Sequence, residues 1–78
     1  FDEATVQKAF GWTGAETRVA MLLLSGLKAR EIADRTSVSF ETVRTQMKSL
    51  FAKSGIRSQA ELVRVLTSLA TTLSVAPS

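Results

Sequence analysis

The chain has 78 residues, ten of them Lys or Arg and seven Asp or Glu, so it is mildly basic with a net charge of +3. It contains neither cysteine nor histidine, which excludes disulfide bonds and leaves the usual zinc sites and nucleophile–base pairs without their residues. An apolar fraction of 45% is sufficient for the modest core of one small domain.

The first predicted element is a short helix over residues 2–10. Asp2 can cap its N-terminus, because a carboxylate accepts a hydrogen bond from the free N–H groups of a first turn. Gly11 then breaks the helix, and Trp12 is expected to pack across the end of the bundle rather than to bind a ligand. The side chains expected to point inward are Phe1, Val6, Ala9 and Phe10.

A second helix is predicted over residues 13–25. Thr13 and Glu16 have the spacing of a capping box, so we expect Glu16 to act as a cap partner only. Gly26 follows at the position where a left-handed residue commonly ends a helix. The expected inner stripe consists of Ala15, Val19, Leu22 and Leu23, with Met21 and Leu24 at its margins.

A short helix, a turn and a longer helix follow, in the order and spacing of a helix-turn-helix unit. The short helix is predicted over residues 29–36 and the longer one over residues 40–53. Between them, Ser37 lies where the turn usually needs a left-handed residue, at a strain of about 1 kcal/mol for a residue other than glycine.

The longer helix can be capped by Ser39 and closed by Gly55. Its inner face is predicted to carry Val43, Met47, Leu50 and Phe51. On the other face, long cations could reach a guanine edge or a phosphate, and short side chains would let the helix approach closely in the major groove. An ordinary solvated face is the alternative. That outer face carries Glu41, Arg44, Thr45, Lys48, Ser49 and Ala52.

The last helix is predicted over residues 58–73, where Ser58 and Glu61 have the spacing of a second capping box. One apolar stripe consists of Leu62, Leu66, Leu69 and Leu73, and a second beside it of Val63, Thr67 and Ala70. The second stripe indicates either a partner helix from another subunit or one wide stripe facing the core. Residues 74–78 are expected to form a disordered tail.

The charges are unevenly distributed along the chain. No acidic residue lies between Glu41 and Glu61, a stretch that contains the cations Arg44, Lys48, Lys53 and Arg57. Such an asymmetry indicates a polyanionic partner, and chance clustering in a small protein is the alternative.

A series of short motifs extends from Trp12 to Leu66, and the whole series at these spacings is specific although no single motif is. The motifs are Thr13 with Glu16, Gly26-Leu27, Glu31-Ile32-Ala33, Val38-Ser39, Thr42-Val43-Arg44, Leu50-Phe51 with Lys53, Gly55-Ile56 and Ala60-Glu61-Leu62-Val63. In this series the chain resembles the LuxR-type (GerE-type) helix-turn-helix family of bacterial transcription regulators.

The resemblance implies an all-α fold of four helices, here with an extra short N-terminal helix, and sequence-specific binding of double-stranded DNA. Carried over by position, the residues that would read bases are Arg44, Thr45 and Lys48, with Glu41 nearby. The residues that would contact phosphates are Lys28, Arg30, Thr42, Lys53, Arg57 and Ser58. Family members often dimerise through the last helix and bind two half-sites. On the last helix here, the second stripe has only three small groups, so it predicts a homodimer that is weak without DNA, through Val63, Thr67 and Ala70.

Four positions depart from the family pattern. Lys28 replaces a small hydroxyl cap, which loses about 1 kcal/mol of capping but adds a cation near phosphate. Thr36-Ser37 replaces a leucine and a glycine at the turn, and Gln46 replaces a histidine or tyrosine. None of these changes removes a group that would face DNA.

No segment is predicted to enter a membrane. The longest apolar run, Val19 to Leu24, has six residues and cannot span a bilayer, and no signal peptide is visible. The absence of cysteine fits a reducing compartment, and we expect a cytoplasmic protein. Because the chain begins at Phe1 and not at Met, we also expect a piece of a longer protein, with any regulatory domain upstream.

We therefore expect the DNA-binding output domain of a transcription regulator, not an enzyme, and neither a cofactor nor a metal. A sigma-factor-like promoter-reading domain, with RNA polymerase as a further partner, is the related alternative. A helical protein-interaction module is the alternative from a different class, and it would lack the steep salt dependence of DNA binding.

Overall fold

The computed structural model describes residues 2–74 and, of these, the side chains of residues 2–69. No strand occurs in the described part, so the expected all-α fold with an extra N-terminal helix is confirmed. Its helices are α1 (Glu3–Phe10), α2 (Gly14–Leu24), α3 (Ala29–Thr36), α4 (Phe40–Ser54) and α5 (Gln59–Ser74). In this described part, no helix combines the length and the apolarity that crossing a bilayer requires. Of the predicted tail, Ser74 is the last residue of α5 and residues 75–78 lie outside the described residues.

The predicted N-terminal caps of α1, α2 and α4 are present. In each, a side-chain oxygen accepts a hydrogen bond from a backbone N–H of the first turn at 3.1 Å. These bonds join Asp2 to Ala4, Thr13 to Glu16, and Ser39 to Thr42. Each satisfies a backbone donor that the helix itself cannot satisfy, at a gain of about 1 kcal/mol.

Helices α3 and α5 each begin with an incomplete capping box. The ammonium group of Lys28 has no acceptor to offer, but the Glu31 carboxylate accepts from the Lys28 backbone N–H at 2.9 Å. In α5, Ser58 Oγ accepts from the Glu61 N–H at 3.1 Å, as predicted. The Glu61 carboxylate, however, accepts from the N–H of Arg57 at 3.3 Å rather than from that of Ser58. The predicted second capping box is therefore only half formed.

The ends of α2, α3 and α4 have the backbone conformations that the sequence indicates. Gly26 follows α2 with φ 93°, and Gly55 closes α4 with φ 75°. Ser37 ends α3 in the left-handed region at φ 59° and ψ 36°, a position that favours glycine. The predicted strain in the turn is thus located at Ser37.

Helix α2 lies at the centre of the molecule and contacts α1, α3, α4 and α5. Its buried face is therefore wider than the predicted stripe. Ala15 was expected to point inward but is exposed, whereas Thr17 and Ala20 are buried beside Val19 and Leu23. The hydroxyl of Thr17 donates to the carbonyl of Thr13 at 2.9 Å, which allows a polar side chain to be buried there.

The core combines apolar side chains from every helix and from two connections. They are Val6, Trp12, Val19, Ala20, Leu23, Ile32, Ala33, Val43, Leu50, Ile56, Leu62 and Leu66. In α1, Val6 is buried and Phe10 half-buried, but the predicted inward position of Ala9 is wrong because that residue is exposed. The predicted packing of Phe1 lies outside the described residues.

Trp12 joins the N-terminal part of the chain to α4. Its ring is buried, stacks on Phe10 at a centroid distance of 4.7 Å, and donates from Nε1 to the carbonyl of Leu50 at 2.9 Å. The predicted packing role of Trp12 is confirmed. Gln59 acts similarly at the start of α5, where Nε2 donates to the carbonyls of Leu23 at 2.9 Å and Leu27 at 3.3 Å.

Candidate nucleic-acid interface

Helix α4 packs against α2 and α3 and leaves one long face exposed to solvent. Val43 and Leu50 are fully buried and Met47 is half-buried, so the side chains on the opposite side point away from the protein. Ser39 caps the start of this helix and Gly55 closes its end, which fixes its length at about four turns.

The exposed face brings together all four residues predicted to read bases. Glu41, Arg44, Thr45 and Lys48 are exposed and line one shallow surface depression. Their spacing of three and four residues places them on one side of the helix. Thr45 Oγ1 donates to the carbonyl of Glu41 at 3.0 Å, which leaves the lone pairs of its hydroxyl oxygen open to a donor.

Two of the predicted phosphate contacts lie at the start of α3. Lys28 and Arg30 are exposed and line a second depression together with Glu31 and Phe40. The start of α4 lies beside them and contributes Thr42, which is exposed and whose hydroxyl is 2.8 Å from that of Ser39.

Two further predicted phosphate contacts lie at the start of α5. Arg57 and Ser58 are both exposed. Ser58 Oγ accepts from the Glu61 N–H, so its own O–H remains free to donate.

Lys53, the remaining predicted phosphate contact, has an intramolecular partner. Its Nζ donates to Glu16 Oε1 at 2.8 Å, which links the last turn of α4 to the first turn of α2. The prediction that Glu16 acts only as a cap partner is therefore wrong. Helical spacing could not indicate this pair, because the two residues are 37 positions apart in the chain.

The Glu16 carboxylate is nearly buried and is stabilised in its charged form by three partners. Hydrogen bonds from Lys53, from Ser49 and from the Thr13 backbone lower its pKa from 4.5 to about 2, in that order of importance. Burial opposes this shift, since removing a charge from water favours the neutral acid. The hydrogen bonds outweigh burial, so Glu16 is ionised at neutral pH.

Phe40 is a residue of this surface that the sequence did not indicate. Its ring is half-buried, with the guanidinium carbon of Arg30 at 4.6 Å and that of Arg44 at 5.7 Å from its centroid. The Phe40–Arg44 spacing of four residues is a signal that could have predicted one of these contacts. Arg30 belongs to another helix, and no local pattern indicates its contact.

The two predicted stripes of α5 face different directions. Leu62 and Leu66 are buried in the core, whereas Val63 is 37% exposed and Thr67 is exposed. The side chain of Ala70, the third residue of the predicted dimer surface, lies outside the described residues.

Comparison with protein families finds a match. The family model described as "GerE: Bacterial regulatory proteins, luxR family" matches residues 13–66, from the cap of α2 to the middle of α5. Neither the comparison with curated proteins nor that with solved structures found a match.

Proposed function

The chain belongs to the luxR family of bacterial regulatory proteins, and from this we propose that it binds duplex DNA sequence-specifically as the output domain of a transcription regulator. The observation that carries the proposal is the exposed face of α4, where Glu41, Arg44, Thr45 and Lys48 lie together outside the core. A helix that presents long cations between short polar side chains can enter the major groove and reach base edges.

Bases would be read mainly by Arg44 and Lys48. Arginine can donate two parallel hydrogen bonds to the O6 and N7 of guanine, and lysine can reach the same acceptors. Thr45 would contribute its hydroxyl, and Glu41 could accept from the amino group of a cytosine. This division gives the outer face of α4 the role of selecting the sequence.

Phosphates would be contacted from the starts of three helices. The groups available there are Lys28 and Arg30 at α3, Thr42 at α4, and Arg57 and Ser58 at α5. Contacts of this kind fix the register of a protein on DNA and supply much of its affinity, but carry no sequence information. Lys53 would also contribute, since only one of its three ammonium donors is used by Glu16.

We further propose that two copies pair weakly through α5. Val63 and Thr67 present a small exposed surface, and together with the predicted Ala70 they would bury far less than the roughly 1,200 Å² of a standard stable interface. Pairing would then depend on DNA, which holds two copies on adjacent half-sites and raises their effective concentration.

Selection of bound duplexes from a random DNA pool tests the proposal. An enriched short motif, bound with an affinity that falls steeply as salt concentration rises, is the expected result. A helical protein-interaction module would enrich no motif and would show no steep salt dependence. A shift in mobility on addition of core RNA polymerase would instead support the sigma-factor-like alternative.

A further inference from the structure

A single aromatic ring contacts an arginine from each helix of the helix-turn-helix unit. Phe40 is the first residue of α4, and its ring centroid lies 4.6 Å from the guanidinium carbon of Arg30 in α3. The guanidinium carbon of Arg44, one turn further along α4, lies 5.7 Å from the same centroid. Both distances are within the ~6 Å over which a cation is attracted to an aromatic face.

The ring itself is supported by packing. Phe40 packs partly against the core, and the helix that begins with it is anchored by the Ser39 cap. A long arginine side chain in solvent samples many rotamers, and ordering it on binding costs entropy. Contact with a ring that packs against the core restricts that sampling before any ligand arrives.

An aromatic partner leaves the arginine donors free. A carboxylate would accept the N–H groups of the guanidinium and neutralise its charge, whereas a phenyl ring has no oxygen acceptor. Among the described residues, no carboxylate lies within ion-pairing distance of Arg30 or Arg44. The ion pair found among these residues joins Lys53 to Glu16 and involves neither arginine. Both guanidinium groups are thus positioned by the ring while their N–H groups remain free to donate.

We propose that Phe40 is a positioning residue that sets the separation of a phosphate contact, Arg30, from a base contact, Arg44. The inference rests on the proposed DNA-binding function. It adds to that function Phe40, which is not among the proposed base or phosphate contacts. Because the ring contacts both arginines, binding of Arg30 to a phosphate places Arg44 at the base edge. Phe40 therefore contributes to sequence discrimination as well as to affinity.

The first test uses the free protein and Phe40→Leu, which keeps apolar bulk but removes the ring. In the parent, the side-chain protons of Arg30 and Arg44 should show ring-current shifts in NMR spectra, and these should disappear in the variant. The control is Phe51→Leu, which removes another half-buried ring from α4 and should leave both arginines unchanged. If the arginine resonances of the parent show no ring-current shift, the proposal is wrong, whether or not the protein binds DNA.

The second test is a mutant cycle measured on the duplex selected from the random pool. An exposed cation–π contact contributes enough for Phe40→Leu to weaken binding ~2- to 5-fold per arginine held. Phe40→Trp, which has a better cation-binding face, should retain parental affinity, and circular dichroism should show that both variants are folded. In an Arg30→Ala, Arg44→Ala background, Phe40→Leu should have no further effect on affinity.

The outcomes separate the two proposals. If Phe40→Leu lowers affinity by the same factor with and without the arginines, Phe40 acts only through packing and the inference is wrong. If the parent binds duplex DNA with no sequence preference, the proposed function fails, even when the NMR shifts confirm the contacts in the free protein. Loss of preference at one base position in Phe40→Leu, with parental preference in Phe51→Leu, is the expected result.

Discussion

Arg44 and Lys48 lie one turn apart on the exposed side of α4, and neither is needed to build the core. A substitution of Arg44 should therefore change recognition without changing the fold. Arg44→Ala is expected to cost about 1–3 kcal/mol of binding free energy on the selected site and to relax the preference at one base position. Affinities for the selected duplex and for its single-base variants measure both effects.

The matched control for Arg44→Ala is Lys8→Ala. Lys8 is an exposed cation on α1, outside the proposed interface, so its removal lowers the net charge equally. Parental affinity and parental preference in Arg44→Ala would contradict the base-reading role.

Glu16 makes the stability of the fold dependent on pH in an acidic window. Its pKa is about 2 in the folded protein against an ordinary value of 4.5, so the unfolded chain binds more protons between these values. Stability from this group is therefore complete above about pH 4.5 and is lost as the pH falls towards 2, by up to about 3 kcal/mol. Urea unfolding followed from pH 7 to pH 2 should show this decline.

Two variants isolate the contribution of Glu16. Glu16→Gln should remove most of the decline, because a neutral amide has no charge to lose in this window. Glu3→Gln, at an exposed position in the first turn of α1, should leave the decline unchanged. An identical pH dependence in the parent and in Glu16→Gln would show that other carboxylates cause it.

The residue-level features of the surface could be predicted where they depend on local spacing. The outward direction of Arg44 and Lys48 follows from helical periodicity alone. The pairing of Thr13 with Glu16 follows from the spacing of a capping box. The partner of Glu16 could not be predicted, because Lys53 is brought to it by the packing of α4 on α2. Contacts between helices need the tertiary arrangement, which periodicity does not contain.

At the scale of the helices, the starts of α3 and α5 carry the cations proposed to contact phosphates. Lys28 and Arg57 precede these helices and are exposed. Lys28→Ala should weaken binding to all duplexes about equally and reduce the slope of log K against log salt concentration by about 1, since one fewer counterion is released. Titrations at several salt concentrations, on the selected and on an unrelated duplex, measure this slope.

Arg57→Ala should behave like Lys28→Ala, whereas Lys8→Ala should leave the slope unchanged. A loss of affinity that is confined to the selected sequence would mean that the substituted residue reads bases instead of contacting phosphate.

Helix ends were more predictable than helix faces. Caps depend on residues two or three positions apart, so Asp2, Thr13 and Ser39 were identified from the sequence and confirmed in the structure. The inner face of α2 was predicted less well, because a helix contacted by four others buries more than one stripe. Periodicity places the exposed Ala15 in the core. It does not indicate the burial of Thr17, a polar residue that can be buried because its hydroxyl donates to the carbonyl of Thr13.

At the scale of the whole molecule, α5 packs through Leu62 and Leu66 and exposes Val63 and Thr67. Val63→Asp should therefore leave the fold intact while introducing a charge that opposes pairing of two α5 helices. Binding to two inverted half-sites about 10 bp apart should lose its cooperativity, and binding to a single half-site should be unchanged. Sedimentation with and without DNA, together with circular dichroism, distinguishes these effects.

Two results would count against the dimer. Unfolding of Val63→Asp would mean that Val63 supports the core, despite its exposure. Independent binding of the parent to two adjacent half-sites would show that α5 does not pair the copies at all.

The order of the helices and the position of the helix-turn-helix unit could be predicted because turn residues and caps divide the chain clearly. The assembly of two copies could not, because an exposed apolar residue such as Val63 has the same pattern whether or not a partner covers it. The structure describes one chain, and the pairing remains a prediction.

We propose above all that DNA docks on the outer face of α4. NMR titration of the isotopically labelled protein with the selected duplex tests this most directly, because each backbone amide reports its own surroundings. The largest shift changes should occur at Glu41, Arg44, Thr45 and Lys48, with further changes at the starts of α3 and α5. Changes concentrated on α1 or on the Val63 side of α5, with α4 unaffected, would contradict the account.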